Sequence, residues 1–335
     1  MTDALAQRWF LLVLLAGVGL AGVRPEWLAP WLDRLPALAL VGPSLFLMAC
    51  GLESRSLLRT LARPHAALWA IAISYGPLPA FGWLAGRLLP DPDLRMGLML
   101  ITAVPCTLAS AVLWTRRAAG SEAVALLVVL LSTSTSWLVT TAWLVWGTGI
   151  GRVGVDPWDM MRVLLLALVL PVAAGQSARV VPSLARAAAR HKIAAGVVAQ
   201  LLILTVIVKA AAEISRKVRQ TAAPLPLGAI AAAAGLCLLI HLTAWAMGFW
   251  GGRAFRFDRP TRIAVGFACS QKTLPVSLVL FEAYFRNDYP LAVLPVAFYH
   301  FGQLVIDTVI ADRLAAGTPT VKEVPNSAGA HGPGW

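Results

Sequence analysis

Apolar stretches long enough to cross a lipid bilayer follow one another along almost the whole chain, and this feature constrains the fold most strongly. Of the 335 residues, 59% are hydrophobic and 13% are charged. A helix needs about 20 mostly apolar residues to cross the hydrocarbon core. A spanning segment must also satisfy its own backbone hydrogen bonds, which a helix does. The sequence therefore predicts an all-α polytopic membrane protein.

Charged residues, Pro and Gly divide the chain into about ten predicted transmembrane helices. Their bounds are 9–23, 35–52, 66–84, 96–114, 123–146, 160–176, 193–212, 225–250, 263–285 and 291–310. Residues 1–317 are expected to form a single transmembrane domain, followed by a disordered cytoplasmic tail at 318–335 that is rich in Gly, Pro and Ser. The charged start before the first helix, with Arg8, also fits a cleavable signal peptide.

Arginine and lysine residues between the apolar stretches predict the orientation of the chain. Sixteen lie on the side that holds the N-terminus, from Arg8 to Lys322, and ten lie on the opposite side, from Arg24 to Arg286. Cytoplasmic loops carry the excess of positive charge. Both termini are therefore expected in the cytoplasm and the protein in the cytoplasmic (inner) membrane. The net charge of +12 reflects this topology, so no nucleic-acid partner is predicted.

Two clusters of Pro, Cys and hydroxyl residues interrupt the fourth and ninth predicted helices, half a chain apart. They are "AVPCTLASAV" around Pro105 and "ACSQKTLPVS" around Pro275. Corresponding interruptions in two halves of a membrane chain indicate a transporter built from repeats, because irregular backbone survives in a membrane only where protein or a cavity surrounds it. Five helices in each half predict two inverted repeats, at about 9–148 and 158–312. A weaker correspondence between the two halves places Glu53 at the end of the second predicted helix and Glu213 at the end of the seventh.

Each interruption also has a simpler explanation. Proline often makes only a kink in a membrane helix, with a nearby hydroxyl bonding the freed carbonyl, and Pro105 alone fits that explanation. Lys272 near the centre of the ninth helix does not, since a charge at the bilayer midplane costs about 2.5 to 3.5 kcal/mol. A lysine there either caps helix ends or lines a substrate or ion path.

A polar stripe in the tenth predicted helix must point away from lipid. His300, Gln303 and Asp307 are spaced i, i+3 and i+7, so they share one helical face. Hydrogen bonds between helices and a wall of an ion or proton pathway both explain such a stripe. The four cysteines and the histidines have no metal-ligand spacing, so neither a metal site nor a cofactor is predicted.

Together with the ten predicted helices, the stretches "GLESRSLL", "SQKTLP" and "AFYHFGQ" resemble the SBF-like branch of the bile acid:sodium symporter superfamily. The resemblance covers residues 35–310. It implies a panel and a core subdomain, discontinuous helices 4 and 9 that cross, and sodium-coupled uptake of organic anions bound beside the crossing. The substrate or ion site is then expected to include the following residues: Ser270, Gln271, Lys272, Thr273, Cys106, Thr107, Ser110, Ser132, Ser134, Ser136, His300 and Gln303.

The sodium ligands that the resemblance implies are only partly present. Gln271 and Ser110 match the symporter pattern, and the hydroxyls of "STSTS" at 132–136 are kept. Lys272 replaces an asparagine, Ala111 replaces another, and Phe267 falls near the position of a glutamate. Sodium is thus a possible coupling ion that lacks three ligands. An alternative is that the Lys272 ammonium takes the place of sodium by holding half-helix C-terminal ends together, with a proton as the coupling ion.

These observations predict a secondary active transporter that moves a small organic anion with coupling to sodium or protons. The lipid bilayer and the anion are its expected partners, and it is expected to act as a monomer or homodimer. No phosphate-binding loop G-x-x-x-x-G-K-[ST] occurs. An intramembrane enzyme is disfavoured because no H-E-x-x-H, G-x-S-x-G or acidic doublet lies in the predicted helices. A non-transporting regulatory protein on the same fold and an efflux carrier for arsenite or auxin-like acids are the alternatives.

Overall fold

The computed structural model describes residues 13, 16–52, 60, 64–148, 155–220 and 226–316, and their regular structure is helical. Residues 16–23 are the described part of helix α1. The later helices are α2 (Pro25–Leu32), α3 (Ala37–Cys50), α4 (His65–Tyr75), α5 (Pro77–Gly86), α6 (Pro92–Ala103), α7 (Ser110–Arg117), α8 (Glu122–Thr148), α9 (Pro157–Ala178), α10 (Pro182–Arg190), α11 (Lys192–Gln220), α12 (Leu227–Gly251), α13 (Arg259–Ser270), α14 (Leu274–Leu280) and α15 (Val293–Ala316). A π-helical turn, Phe281–Phe285, directly follows α14.

Within the described chain, seven helical segments are long and apolar enough to cross a membrane. The bent pair α2 and α3, at 76° to each other, makes eight if it counts as one span. The fourth predicted helix is split into α6 and α7, which are too short to qualify singly. The all-α polytopic membrane fold is therefore confirmed, whereas the count of ten helices and their inverted repeats stay predictions. The start of the first predicted helix, the stretch around Glu53 and the tail 318–335 lie outside the described residues.

Aspartate caps and early prolines fix where several helices begin. Asp91 accepts hydrogen bonds from the backbone N–H groups of Asp93 and Leu94, and Asp156 and Asp258 cap α9 and α13 in the same way. A proline occupies the first or second helical position after each of these caps. Proline is tolerated there because the first helical N–H groups have no partner within the helix. Local chemistry thus sets the start of the segments that carry both interruptions.

The helices pack into two groups. A panel group consists of α2, α3, α9 and α11, and a core group consists of α4 to α8 and α12 to α15. The segment Arg259–Phe285, which contains α13 and α14, runs through the centre: its most apolar 18-residue window is 100% buried, against 28% for that of α12. Helix α14 also contacts α3 and α11 and so connects the two groups.

Gly97 allows α6 to approach the backbone near the start of α15. A Cβ atom at this position would lie 2.0 Å from the Ala292 carbonyl oxygen and 2.7 Å from its carbon. Backbone cannot move aside cheaply, so we expect Gly97→Ala to destabilise the fold by about 1 to 3 kcal/mol, the usual cost of overpacking. Thermal unfolding in detergent measures this effect. Gly228→Ala is the matched control, because nothing lies within 4 Å of its added Cβ, and an equal loss in both variants would contradict the prediction.

Candidate functional site at the crossing of two interrupted helices

The first interruption lies between α6 and α7 and follows from Pro105. The residue before a proline is pushed out of the helical region, and Val104 is extended, with φ −72° and ψ 162°. In the second interruption, Gln271 and Thr273 are also extended, and Pro275 lies within the first turn of α14. Both breaks therefore occur where the sequence predicts them, and the second break lies two to four residues before its proline.

The two interruptions contact each other directly, as the resemblance implies for helices 4 and 9. The backbone N–H of Thr273 donates to the Pro105 carbonyl at 3.1 Å. The Ser110 hydroxyl donates to Gln271 Oε1 at 2.7 Å. Gln271 and Thr273 are buried and Ser110 is partly buried. We call this region the crossing.

Gln303 on α15 satisfies the unwound backbone at Lys272. The Lys272 N–H donates to Gln303 Oε1 at 2.9 Å, and Gln303 Nε2 donates to the Lys272 carbonyl at 3.0 Å. Gln303 Nε2 also lies 3.0 Å from His300 Nδ1. Backbone groups inside a membrane need such partners since water is absent. The predicted polar stripe therefore points at the crossing from the neighbouring helix.

The Lys272 side chain is fully buried at the crossing and is saturated with oxygen acceptors. Its Nζ lies 2.8 Å from the Ser74 carbonyl, 3.0 Å from the Ser74 hydroxyl and 2.8 Å from the Val104 carbonyl. An ammonium has three donors, and each has a partner here. Ser74 is near the end of α4 and Val104 follows α6, so the charge lies at two helix C-terminal ends, where dipoles favour a cation. Among the described residues, no carboxylate forms a salt bridge with Lys272.

These residues do not fit a sodium ion of the symporter type. Phe267 packs its ring edge against Trp245 at 6.1 Å between centroids and offers no oxygen. Ala111 is buried and offers none from its side chain. At position 272, where the symporters have an asparagine, the two carbonyls and the hydroxyl of Ser74 and Val104 already bond the Lys272 ammonium.

A buried histidine and carboxylate lie beside the crossing. His241 Nε2 is 2.9 Å from Asp307 Oδ1, and the side chains are 1% and 0% exposed. His241 Nδ1 faces the Ser270 carbonyl at 3.3 Å, and Gln271 Nε2 donates to Asp307 Oδ2 at 2.6 Å. His241 can donate to the Ser270 carbonyl through Nδ1 or to Asp307 through Nε2, according to its tautomer. We call this pair the His–Asp dyad.

The other predicted site residues divide into those near the crossing and those away from it. Ser132 accepts from the Cys106 N–H at 3.4 Å, and Thr107 accepts from Ser110 at 3.2 Å. The buried Ser136 hydroxyl bonds the Thr133 carbonyl in its own helix. Ser134 is exposed, because residues two apart on a helix point in nearly opposite directions and its neighbours 132 and 136 face inward. The structure therefore does not bring Ser134 to the crossing.

Sequence reasoning missed Ser74 and His241. The third predicted helix was treated as continuous, although "SYGPLP" at 74–79 ends α4 and starts α5. His241 lies alone in the apolar run of α12, and its only signal was that an ionisable residue inside a membrane helix is costly and therefore often functional.

A cleft of about 340 Å³ separates the panel and core groups. Its panel wall comes from α3 and α11 and its core wall from α7 and α8, and it reaches Ala109, the neighbour of Ser110 at the crossing. Most lining residues are apolar, and the charged ones are Arg116, Lys192 and Glu122. The cleft thus extends from the helix ends that carry Arg116 and Lys192 to Ala109, the residue before Ser110. We call this end of the molecule the cleft side and the opposite end the far side.

Fold and site together define a multi-pass membrane protein whose interrupted helices meet in the interior, the arrangement of secondary transporters. The chain belongs to the SBF-like CPA transporter family, whose model matches residues 8–316. No curated protein matches the chain. Membership confirms the resemblance found in the sequence and assigns the chain to a family of membrane transporters.

Proposed function

We propose that this protein is a secondary active transporter that moves a small organic anion, with protons as the coupling ion. The observation that carries the proposal is the cleft between the panel and core groups, which ends beside the crossing. Substrate sites of secondary transporters lie near the bilayer midplane, where discontinuous helices meet. The family membership supports transport itself.

The lining of the cleft supports an amphipathic anion as substrate. Apolar side chains from both walls suit a hydrocarbon or aromatic body, and cationic groups outnumber carboxylates among the lining residues. Lys192 lines the panel wall of the cleft at the start of α11, and we take it as the group that contacts the anion. A few polar groups in a mostly apolar cleft are the usual composition of a small-molecule site.

The crossing supports protons over sodium. The Lys272 ammonium bonds three oxygens at the junction of α4 and α6, so these oxygens already have a cationic partner. The His–Asp dyad consists of two side chains of types that can bind a proton, and it is hydrogen-bonded through Gln271 to Ser110, next to the cleft. A change in the protonation of Asp307 would therefore act on the contact between the two interrupted helices.

Binding and counterflow with defined probes test this function. Octanoate, benzoate and cholate span a range of apolar surface, and we expect at least one to raise the melting temperature and to show counterflow in sodium-free proteoliposomes. Lys192→Gln should weaken its binding about tenfold, the loss of a charge-assisted contact worth about 1.5 kcal/mol. Arg253→Gln is the matched control, because Arg253 is exposed and does not line the cleft. If none of the probes shows counterflow, a non-transporting protein is favoured. If counterflow occurs only when sodium is present, a sodium symporter is favoured.

A further inference from the structure

Four charged side chains meet on the far side, between the panel and core groups. Lys209 and Glu213 lie one turn apart on α11, and Glu282 and Arg286 lie in and just after the π-helical turn that follows α14. Side-chain exposure is 7% for Lys209, 9% for Glu282, 16% for Glu213 and 36% for Arg286. We call these residues the far-side cluster. It joins the two helix groups at the end opposite to the cleft.

Each carboxylate of the far-side cluster has one oxygen bound to a cation. Arg286 Nη1 lies 3.1 Å from Glu213 Oε1 and 3.2 Å from Glu282 Oε2. Lys209 Nζ lies 3.5 Å from the same Glu282 oxygen and donates to the Leu35 carbonyl at 3.1 Å. Both cations thus contact the same oxygen of Glu282.

The remaining two carboxylate oxygens are buried without a hydrogen-bond partner in the described structure. They are Glu213 Oε2 and Glu282 Oε1. The two carboxyl groups are held side by side, since both contact Arg286 Nη1. Buried polar atoms almost always have a partner, and two carboxylates that share a site commonly hold one proton between them because both cannot ionise at close range. A proton on either carboxyl group would turn one of its oxygens from an acceptor into a donor.

We propose that Glu213 and Glu282 form a proton-binding site that bridges the panel and core groups on the far side. The proton forms a hydrogen bond between the two carboxyl groups, so its binding strengthens the contact between α11 and the segment after α14. Separation of the two groups on this side would expose both carboxyl groups to water and release the proton. The use of this step in a transport cycle rests on the proposed function, whereas the site itself does not.

Four further charged groups face or flank the Glu213–Glu282 pair. Lys209 on α11 and Arg286 after the π turn face the pair directly. Arg216 on α11 and Asp33, between α2 and α3, lie beside it and bond each other at 2.8 Å. This hydrogen bond from Arg216 lowers the pKa of the Asp33 carboxyl below its ordinary value. Asp33 therefore stays ionised near neutral pH and loses its stabilising contact only in acid.

The dependence of stability on pH tests the site without any transport measurement. A proton bound more tightly in the folded than in the unfolded protein stabilises the fold at low pH, and this gain is lost as pH rises through the pKa of the folded pair. We expect the melting temperature of the wild type to fall between pH 5 and pH 8. Glu213→Gln and Glu282→Gln should flatten this change, since the amide donates permanently to the remaining carboxylate. Glu26→Gln, an exposed glutamate on the same side, should keep the wild-type profile.

Infrared spectroscopy provides a direct readout of the shared proton. We expect the difference spectrum between pH 5 and pH 8 to show the loss of a protonated carboxyl band in the wild type and in Glu26→Gln. The difference spectra of Glu213→Gln and Glu282→Gln should lack this band. A wild-type melting temperature that is flat over this range, with no such band, would overturn the proposal. So would a sodium-specific stabilisation at pH 8 that the glutamine variants abolish, because it would make the pair a cation site. Neither result depends on whether any anion is transported.

Discussion

Lys272→Met is expected to destabilise the folded protein by about 3 to 5 kcal/mol, because each buried acceptor left without a donor costs about 1 to 3 kcal/mol. The methionine fills a similar volume but leaves the two carbonyls of Ser74 and Val104 and the Ser74 hydroxyl without their donor. These groups are inside the protein, where no bulk water replaces the ammonium. Thermal unfolding in detergent measures the loss. Arg190→Met, an exposed basic residue on α10, should stay within about 0.5 kcal/mol of wild type.

Lys272→Asn distinguishes a structural lysine from one that has replaced an ion. The asparagine oxygen and the three oxygens that Lys272 now contacts could together ligate a small cation. We expect the melting temperature of this variant to rise in sodium relative to potassium and choline salts, by the usual linkage of ligand binding to stability. The wild type should not respond. A sodium-specific rise in the wild type itself would contradict the view that the ammonium takes the place of sodium.

The sequence predicted the interruptions because their cause is local. Proline disfavours the helical region for the residue before it, as seen at Val104 before Pro105, and Pro275 is well tolerated in the first turn of a new helix. The sequence also predicted that Lys272 is buried within the protein, because a charge at the centre of an apolar stretch is too costly to leave in lipid. Composition and local chemistry therefore predicted the helical fold and the most unusual residue of the site.

The partners of these residues could not be predicted, because they depend on packing between distant helices. Lys272 contacts Ser74, 198 positions earlier, and Asp307 contacts His241, 66 positions earlier. The hydrophobic pattern gives the buried face of a helix but not the helix that covers it. Ser134 shows that residues close in sequence need not share a site. The hydroxyls at 132–136 predicted one site, but residues two apart on a helix point in nearly opposite directions, so Ser134 faces away from Ser132 and Ser136.

Asp307→Asn is expected to abolish proton-driven accumulation of the transported anion while the fold is kept. Asparagine has nearly the same shape, its oxygen can accept from Gln271 Nε2, and its amide can donate to a neutral His241. The hydrogen bonds are thus preserved, but the dyad no longer holds an acidic proton that can leave. We expect counterflow to remain and uptake driven by a pH gradient in proteoliposomes to fall at least tenfold, a loss of about 1.4 kcal/mol or more in the coupled step.

The control for this variant is Asp312→Asn on the same helix. Asp312 is partly exposed and pairs with Arg117 at the cleft side. Exposed ion pairs contribute about 0 to 1 kcal/mol, so this change should leave both counterflow and proton-driven uptake close to wild type. Equal loss of proton-driven uptake in both variants would indicate that the removal of any carboxylate from α15 lowers uptake. Full proton-driven uptake in Asp307→Asn would exclude the His–Asp dyad as the coupling group, because no other carboxylate of the described chain contacts the crossing.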